Sequence, residues 1–195
     1  MDLASGKTYS SEVFKQITVE SSLIAQAIFT DCRFVKCVFR QVDFSGSDFT
    51  DCVFEGCEMS SPMFVNTGFH GAVFQSSKLV GVDFTKSSVH LFRLGFLESL
   101  IDTCNFSSLK MKKTPFERCT IRDSRFVGTV LSESNFEGSD LYRTNFHECD
   151  LEKAIFTRAK NYAIDPRTNR LKGAIFSLPE AVSLLLTLGI ELDSK

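Results

Sequence analysis

The residues best suited to chemistry in this chain are its seven cysteines and three histidines. Cys32, Cys37, Cys52 and Cys57 lie close enough in sequence to suggest a soft-metal site or disulfides. A structural zinc site brings thiolates together in Cys-x-x-Cys pairs, and none of these cysteines has that spacing. His70 and His90 stand 20 residues apart with no third ligand or base, and both read as surface residues. No glycine-rich phosphate loop, HExxH or GxSxG segment occurs. The expectation is no catalytic, cofactor-binding or metal-ligating residue, and no enzyme.

What the cysteines share is a place in a repeat. Phenylalanine recurs at 29, 34, 39, 44, 49 and 54, in steps of five. Neither a helix nor a flat strand buries one side chain in five. The period calls for a chain that turns a corner every five residues and shows one side chain per segment to a central axis. The step extends back to Phe14, Val19 and Ile24 and forward through Met59, Phe64, Phe69, Phe74, Leu79, Phe84, Val89 and Leu94. It slips by two near 89–96 and resumes from Phe96 to Phe156, so that 18 of the 20 phenylalanines fall at centres. Phe92 and Phe176 do not. Every cysteine sits two residues before a centre, among serines, threonines and alanines. That position reads as a second, narrower inward site, where a reduced thiol acts as a small hydrophobe.

The other positions are polar, as in Asp-Phe-Ser-Gly-Ser, Asp-Phe-Thr-Asp-Cys and Asn-Phe-Glu-Gly-Ser. Over about residues 12–158 this resembles the A(D/N)LXX pattern of pentapeptide-repeat proteins. The resemblance implies an all-β solenoid, a right-handed quadrilateral β-helix with four quintets per coil. Residues 20 apart should then stack at strand spacing. Asp102 would meet Arg122, Glu98 would meet Arg118, and Lys113, Glu133 and Lys153 would alternate. Pro62 and Pro115 are expected at corners or local irregularities.

The chain has 195 residues and a formal charge of −2, with no apolar run approaching the roughly 20 residues of a membrane helix. Its first residues lack the basic start and apolar core of a signal peptide, so the expected location is the cytoplasm. Residues 1–11 read as an N-terminal cap segment, 12–160 as the β-helix and 161–195 as a C-terminal capping and dimerisation module. Ser177-Leu178-Pro179-Glu180 has the form of a capping box, followed by a helix through Leu188 with Gly189 as its stop. Apolar residues surround nearly the whole helix, which leaves one face wanting a partner. The expected homodimer interface comprises Leu178, Val182, Leu185, Leu186, Ile190 and Leu192.

Between Gln41 and Ser77 there is no Lys or Arg, while Asp43, Asp48, Asp51, Glu55 and Glu58 give a local formal charge of −5. With Asp31, which should stack on Asp51, these acids read either as a partner-binding acidic face or as an ordinary solvated one. A rod of duplex-like width bearing regularly spaced acids can compete for a basic DNA-binding surface.

The C-terminal segments Asn161-Tyr-Ala-Ile-Asp-Pro and Phe176 to Leu192 resemble the topoisomerase-poison resistance group of pentapeptide-repeat proteins, the albicidin-resistance member above all. This likeness implies a cytoplasmic homodimer joined through its C-terminal end that mimics DNA and binds DNA gyrase. It implies no direct contact with nucleic acid, membrane or small-molecule substrate. The chain departs from the group in lacking long projecting loops and in its modest net charge.

Overall fold

A computed structural model describes residues 3–191 and 193. The chain winds as a four-faced solenoid of short parallel strands, most of three residues each. Backbone hydrogen bonds hold each coil to the coils before and after it. Ile28 N–H donates to Lys7 O (2.8 Å), and Gln26 N–H donates to Ser45 O (2.9 Å). The strands at Thr8–Ser10, Ile28–Thr30 and Asp48–Thr50 share the first face, in register Tyr9, Phe29, Phe49. Strands centred on Phe14, Phe34 and Phe54 form the second, and those centred on Val19, Phe39 and Met59 the third. Ile24, Phe44 and Phe64 begin the fourth face, where Leu23, Asp43 and Met63 bridge one another.

The interior is a set of ring columns. On the second face Phe14, Phe34, Phe54, Phe74, Phe96, Phe116, Phe136, Phe156 and Phe176 stack in sequence, with centroids 4.6 to 5.5 Å apart. Those eight steps span roughly 38 Å at strand spacing. The fourth face carries Phe44, Phe64, Phe84, Phe106, Phe126 and Phe146, and rings of adjacent columns meet edge to face. Both arrangements suit the ring quadrupole.

The coil continues beyond the last expected centre. Ile155 pairs with Ile175, and Phe176 lies flat on Phe156 at 4.9 Å and 3°. Phe176 is therefore a member of the column, although the segment before it has lost the five-residue pattern. Tyr162 and Ile164, both buried, fill that last coil, with partly buried Leu171 against them.

The slip also differs from expectation. Ser88 N–H still bonds Thr67 O in the regular register, whereas Phe74 aligns with Phe96 in place of Leu94. The extra residues fall at 89–92. Val89 is not a centre but is 74% exposed, and Leu91 beside it is 70% exposed. Phe92 turns inward and meets Phe69 edge-on at 6.1 Å. The opposing strand Gly68–Gln75 runs unbroken round the corner between the first two faces, with Gly71 at φ 98° as its bulged residue. His70 consequently lies beside Arg93 rather than His90.

Corners use a left-handed residue two places after the centre. Gly46 and Gly128 suit that conformation, but Ser21, Lys36 and Asp51 adopt it too, at φ 45°, 53° and 49°. Left-handed backbone costs a non-glycine residue about 1 kcal/mol. The ladders on both sides of each coil impose it anyway.

The small inward residues do more than fill space. Ser47 Oγ donates to Ile24 O (2.8 Å) and accepts from Ala27 N–H (3.0 Å), tying its coil to the preceding one. Ser77 repeats this with Phe54 O and Cys57 N–H, both at 2.9 Å. Cysteine at the same position makes the weaker version, as in Cys57 Sγ to Phe34 O at 3.2 Å. Ser47→Ala should therefore cost about 2 kcal/mol in urea unfolding, because two buried backbone groups lose their partner. Ser47→Cys should cost less.

The C-terminal helix is shorter than expected, Val182–Leu186, and Ser177 does not cap it. The Ser177 hydroxyl instead accepts from Arg158 N–H (2.9 Å), a side-chain staple onto the coil. Gly189, at φ 74°, ends the segment as expected. Ile190 and Glu191 form no strand, and Leu192 lies outside the described residues.

Candidate partner-binding surfaces

All seven cysteines are buried and free of disulfides. Burial pushes Cys52, Cys104 and Cys119 up to about 12 and Cys149 to about 11. Cys57 is raised by its neighbour Cys37, one coil away, and by burial. Thiols held protonated behind closed walls are poor nucleophiles and poor metal ligands. Among the described residues no group of three His, Cys, Asp or Glu side chains converges, and no helix is long and apolar enough to cross a membrane.

Two of the expected pairs one coil apart are present, and Glu133 meets Lys113 at 3.5 Å but lies nearer Lys112, at 2.9 Å. Arg122 reaches Asp102 at 2.6 Å and holds that carboxyl below its usual range, and Arg118 reaches Glu98 at 3.0 Å. Such exposed pairs contribute at most about 1 kcal/mol each. Their value is in the register.

The six acids do not share one face. Four quintets carry the chain once around the rod, so residues five apart point along successive faces. Asp48 belongs to the first face, Glu55 to the second, Glu58 to the third and Asp43 to the fourth. Only Asp31 and Asp51 repeat a direction, at the corner between the first and second faces, where both are left-handed. Nor does the lack of basic residues in that window leave them unpaired, because the spatial neighbours come from the coils before and after. Arg33 bonds Glu55 at 2.7 Å, Arg40 lies 4.0 Å from Glu58, and Arg93 lies 4.0 Å from Asp51. Asp48 accepts from Thr50 (2.9 Å) and contacts His70 Nε2 (2.9 Å). Asp43 accepts from Ser45 N–H (2.9 Å) in a local turn. Among the described residues, Asp31 alone of the six has no side-chain partner.

At the C-terminal end the chain leaves apolar surface open. Leu178 is 80% exposed, and Leu185, Leu186, Leu188 and Ile190 are all exposed. Leu184 packs inward on the core, and Val182 is half-buried. In the same C-terminal segment an open depression of about 310 Å³ is lined by Asn161, Tyr162, Pro179, Glu180 and Ser183. The buried hydroxyls of Tyr162 and Ser183 have no protein partner there among the described residues.

Two family patterns match the repeats seen in the structure. "Pentapeptide repeat region" covers residues 27–106, and "Pentapeptide repeats (8 copies)" covers 121–158. The chain is a pentapeptide-repeat protein. Among curated protein sequences none matches it. Its fold is similar to two trypsin-treated forms of QnrB1, a plasmid-mediated fluoroquinolone resistance protein. One aligns over 98% of this chain and 100% of its own at 18% identity, with a TM-score of 0.75. The other aligns over 93% and 100% at 17% identity, with a TM-score of 0.67. The likeness shows a common fold.

Two surface features of this pentapeptide-repeat protein were missed in the sequence. The five-step places Val89 as an inward centre and gives Leu91 no assignment, whereas both point outward. The unpartnered hydroxyls of Tyr162 and Ser183 had no sequence signal at all.

Proposed function

We propose that this pentapeptide-repeat protein is a cytoplasmic homodimer that binds bacterial DNA gyrase as a DNA-like rod. In doing so it alters the enzyme's response to topoisomerase poisons such as albicidin or quinolones. The observation carrying the reading is a ladder of eight coil steps, roughly 38 Å long, in which Asp31 and Asp51 stand one coil apart at the corner of the first two faces. Asp31, Asp48, Asp51 and Glu55 follow the first two faces, while Asp43 and Glu58 lie on the others. The open apolar end of Leu178, Leu185, Leu186 and Ile190 supports dimerisation, which would double the rod's length. The fold it shares with a fluoroquinolone resistance protein points the same way.

The test is gyrase supercoiling and drug-induced DNA cleavage with purified protein added. The protein should change one or both at micromolar concentration. Reversing Asp48, Asp51 and Glu55 to Lys should weaken gyrase binding on the order of a hundredfold and flatten its salt dependence. No effect of the wild-type protein on either reaction would favour a scaffold for a different protein partner.

A further inference from the structure

The first face changes sign along its length. Before the inserted residues, that face and the corner after it carry Asp31, Asp48 and Asp51; in the two coils just after them come Arg93, Lys110, Lys112 and Lys113, with Glu133, Asp150 and Glu152 further along. At the change lies a groove of about 320 Å³, lined by Val73, Gly95 and Pro115 together with Arg93, Lys112 and Lys113. Two glycines border it, and a Cβ on Gly71 would collide with Asp51 Oδ1. Gly71 is the bulged corner residue, and a Cβ on Gly95 would lie 3.2 Å from the Pro115 ring. Pro115 thus sits on the second face, in bridge with Asn135, and not at a corner. The floor is apolar and the rim is cationic.

The wall beside the groove is held in place. Phe92 is anchored against Phe69, and His70 Nδ1 lies 3.3 Å from Leu91 O while its Nε2 contacts Asp48. Val89 and Leu91 therefore stand out on a braced turn. Glu133 and Asp51 pair with the rim cations, and Asp150, itself 3.8 Å from Arg170, acts on Lys112 from farther off. Glu133 is shared between Lys112 (2.9 Å) and Lys113 (3.5 Å), and Asp51 lies 4.0 Å from Arg93. One carboxylate, Glu133, serves both lysines, so among the described residues neither lysine has a carboxylate to itself.

We infer that this groove docks an acidic segment of a protein partner, with an apolar side chain on the Val73–Gly95–Pro115 floor and carboxylates on Lys112, Lys113 and Arg93. A continuous phosphate backbone fits less well, because it offers no apolar group to the Val73–Gly95–Pro115 floor. A small carboxylate would leave Val89 and Leu91 uncovered, whereas a peptide continuing past the groove covers both. Docking here is independent of gyrase: it holds whichever protein engages the acidic faces.

The test is fluorescence anisotropy with a short labelled peptide of alternating Glu and Leu or Phe, beside a short labelled DNA duplex. The peptide should bind the wild-type protein and weaken with added salt. Lys112→Glu with Lys113→Glu should lower its affinity about tenfold or more, and Val89→Ser with Leu91→Ser about threefold. Glu133→Gln should raise it, since that change frees both lysines. Lys112→Gln with Lys113→Gln, which adds no new charge, keeps the result readable if the double reversal disturbs folding. Absence of peptide binding, indifference to the lysine changes, a Glu133→Gln variant no tighter than wild type, or preference for the duplex would each overturn the inference.

Discussion

Phe116→Ala should be among the most destabilising single changes in this protein, lowering unfolding free energy by about 4 kcal/mol. The ring is fully buried, stacked between Phe96 (5.0 Å, 9°) and Phe136 (4.9 Å, 2°). It also meets Phe106 and Phe126 edge-on, at 5.9 and 5.6 Å. Removing it loses the transfer free energy of the ring, leaves a cavity that rigid backbone ladders cannot collapse, and cuts two coil-to-coil stacks at once. Because each coil is stabilised only by its neighbours, a break in the middle divides the rod. Phe14→Ala should do less, since that ring belongs to the first coil and stacks on one side only, on Phe34. Urea unfolding followed by circular dichroism checks both; equal midpoints for the two variants would mean that the coils do not act through their neighbours.

The second large effect concerns assembly. Leu185→Asp with Leu186→Asp should convert the proposed dimer to monomer at micromolar concentration, because the change would bury two unpaired carboxylates in an apolar contact. Neither residue is part of the core, so the rod should keep its circular dichroism spectrum and thermal midpoint. Leu184→Asp is the contrasting case: that side chain packs on the last coil, and its loss should loosen the end of the rod itself. Sedimentation equilibrium distinguishes the species. A wild-type protein that sediments as a monomer, or a double variant that remains dimeric, would remove this contact from the proposal.

The rod was readable because the repeat states it several times over. Phe at every fifth position, small residues two places earlier and pairs such as Asp102–Arg122 one coil apart all require the same coil. Phe176 was lost because the quintet before it is irregular, yet backbone pairing with Ile155 restores its place in the column. The helix cap was misread for a different reason. Ser177 and Glu180 have the right spacing, but the Ser177 hydroxyl is taken by Arg158 N–H from the coil, a partner distant in sequence.

What the amino-acid order determined here is everything that repeats: the period, the inward rings, the buried thiols and the charge pairs one coil apart. Periodicity carries that information because each coil meets the same environment as the last. The tertiary structure alone decided what happens once. It spread the acids around the rod and set arginines from neighbouring coils beside them. It turned Phe92 inward and Val89 outward, and it opened a cationic groove where Gly71, Gly95 and two lysines of the following coil come together. Those outcomes depend on which residues lie side by side between coils, and after a slip in register no local pattern specifies that.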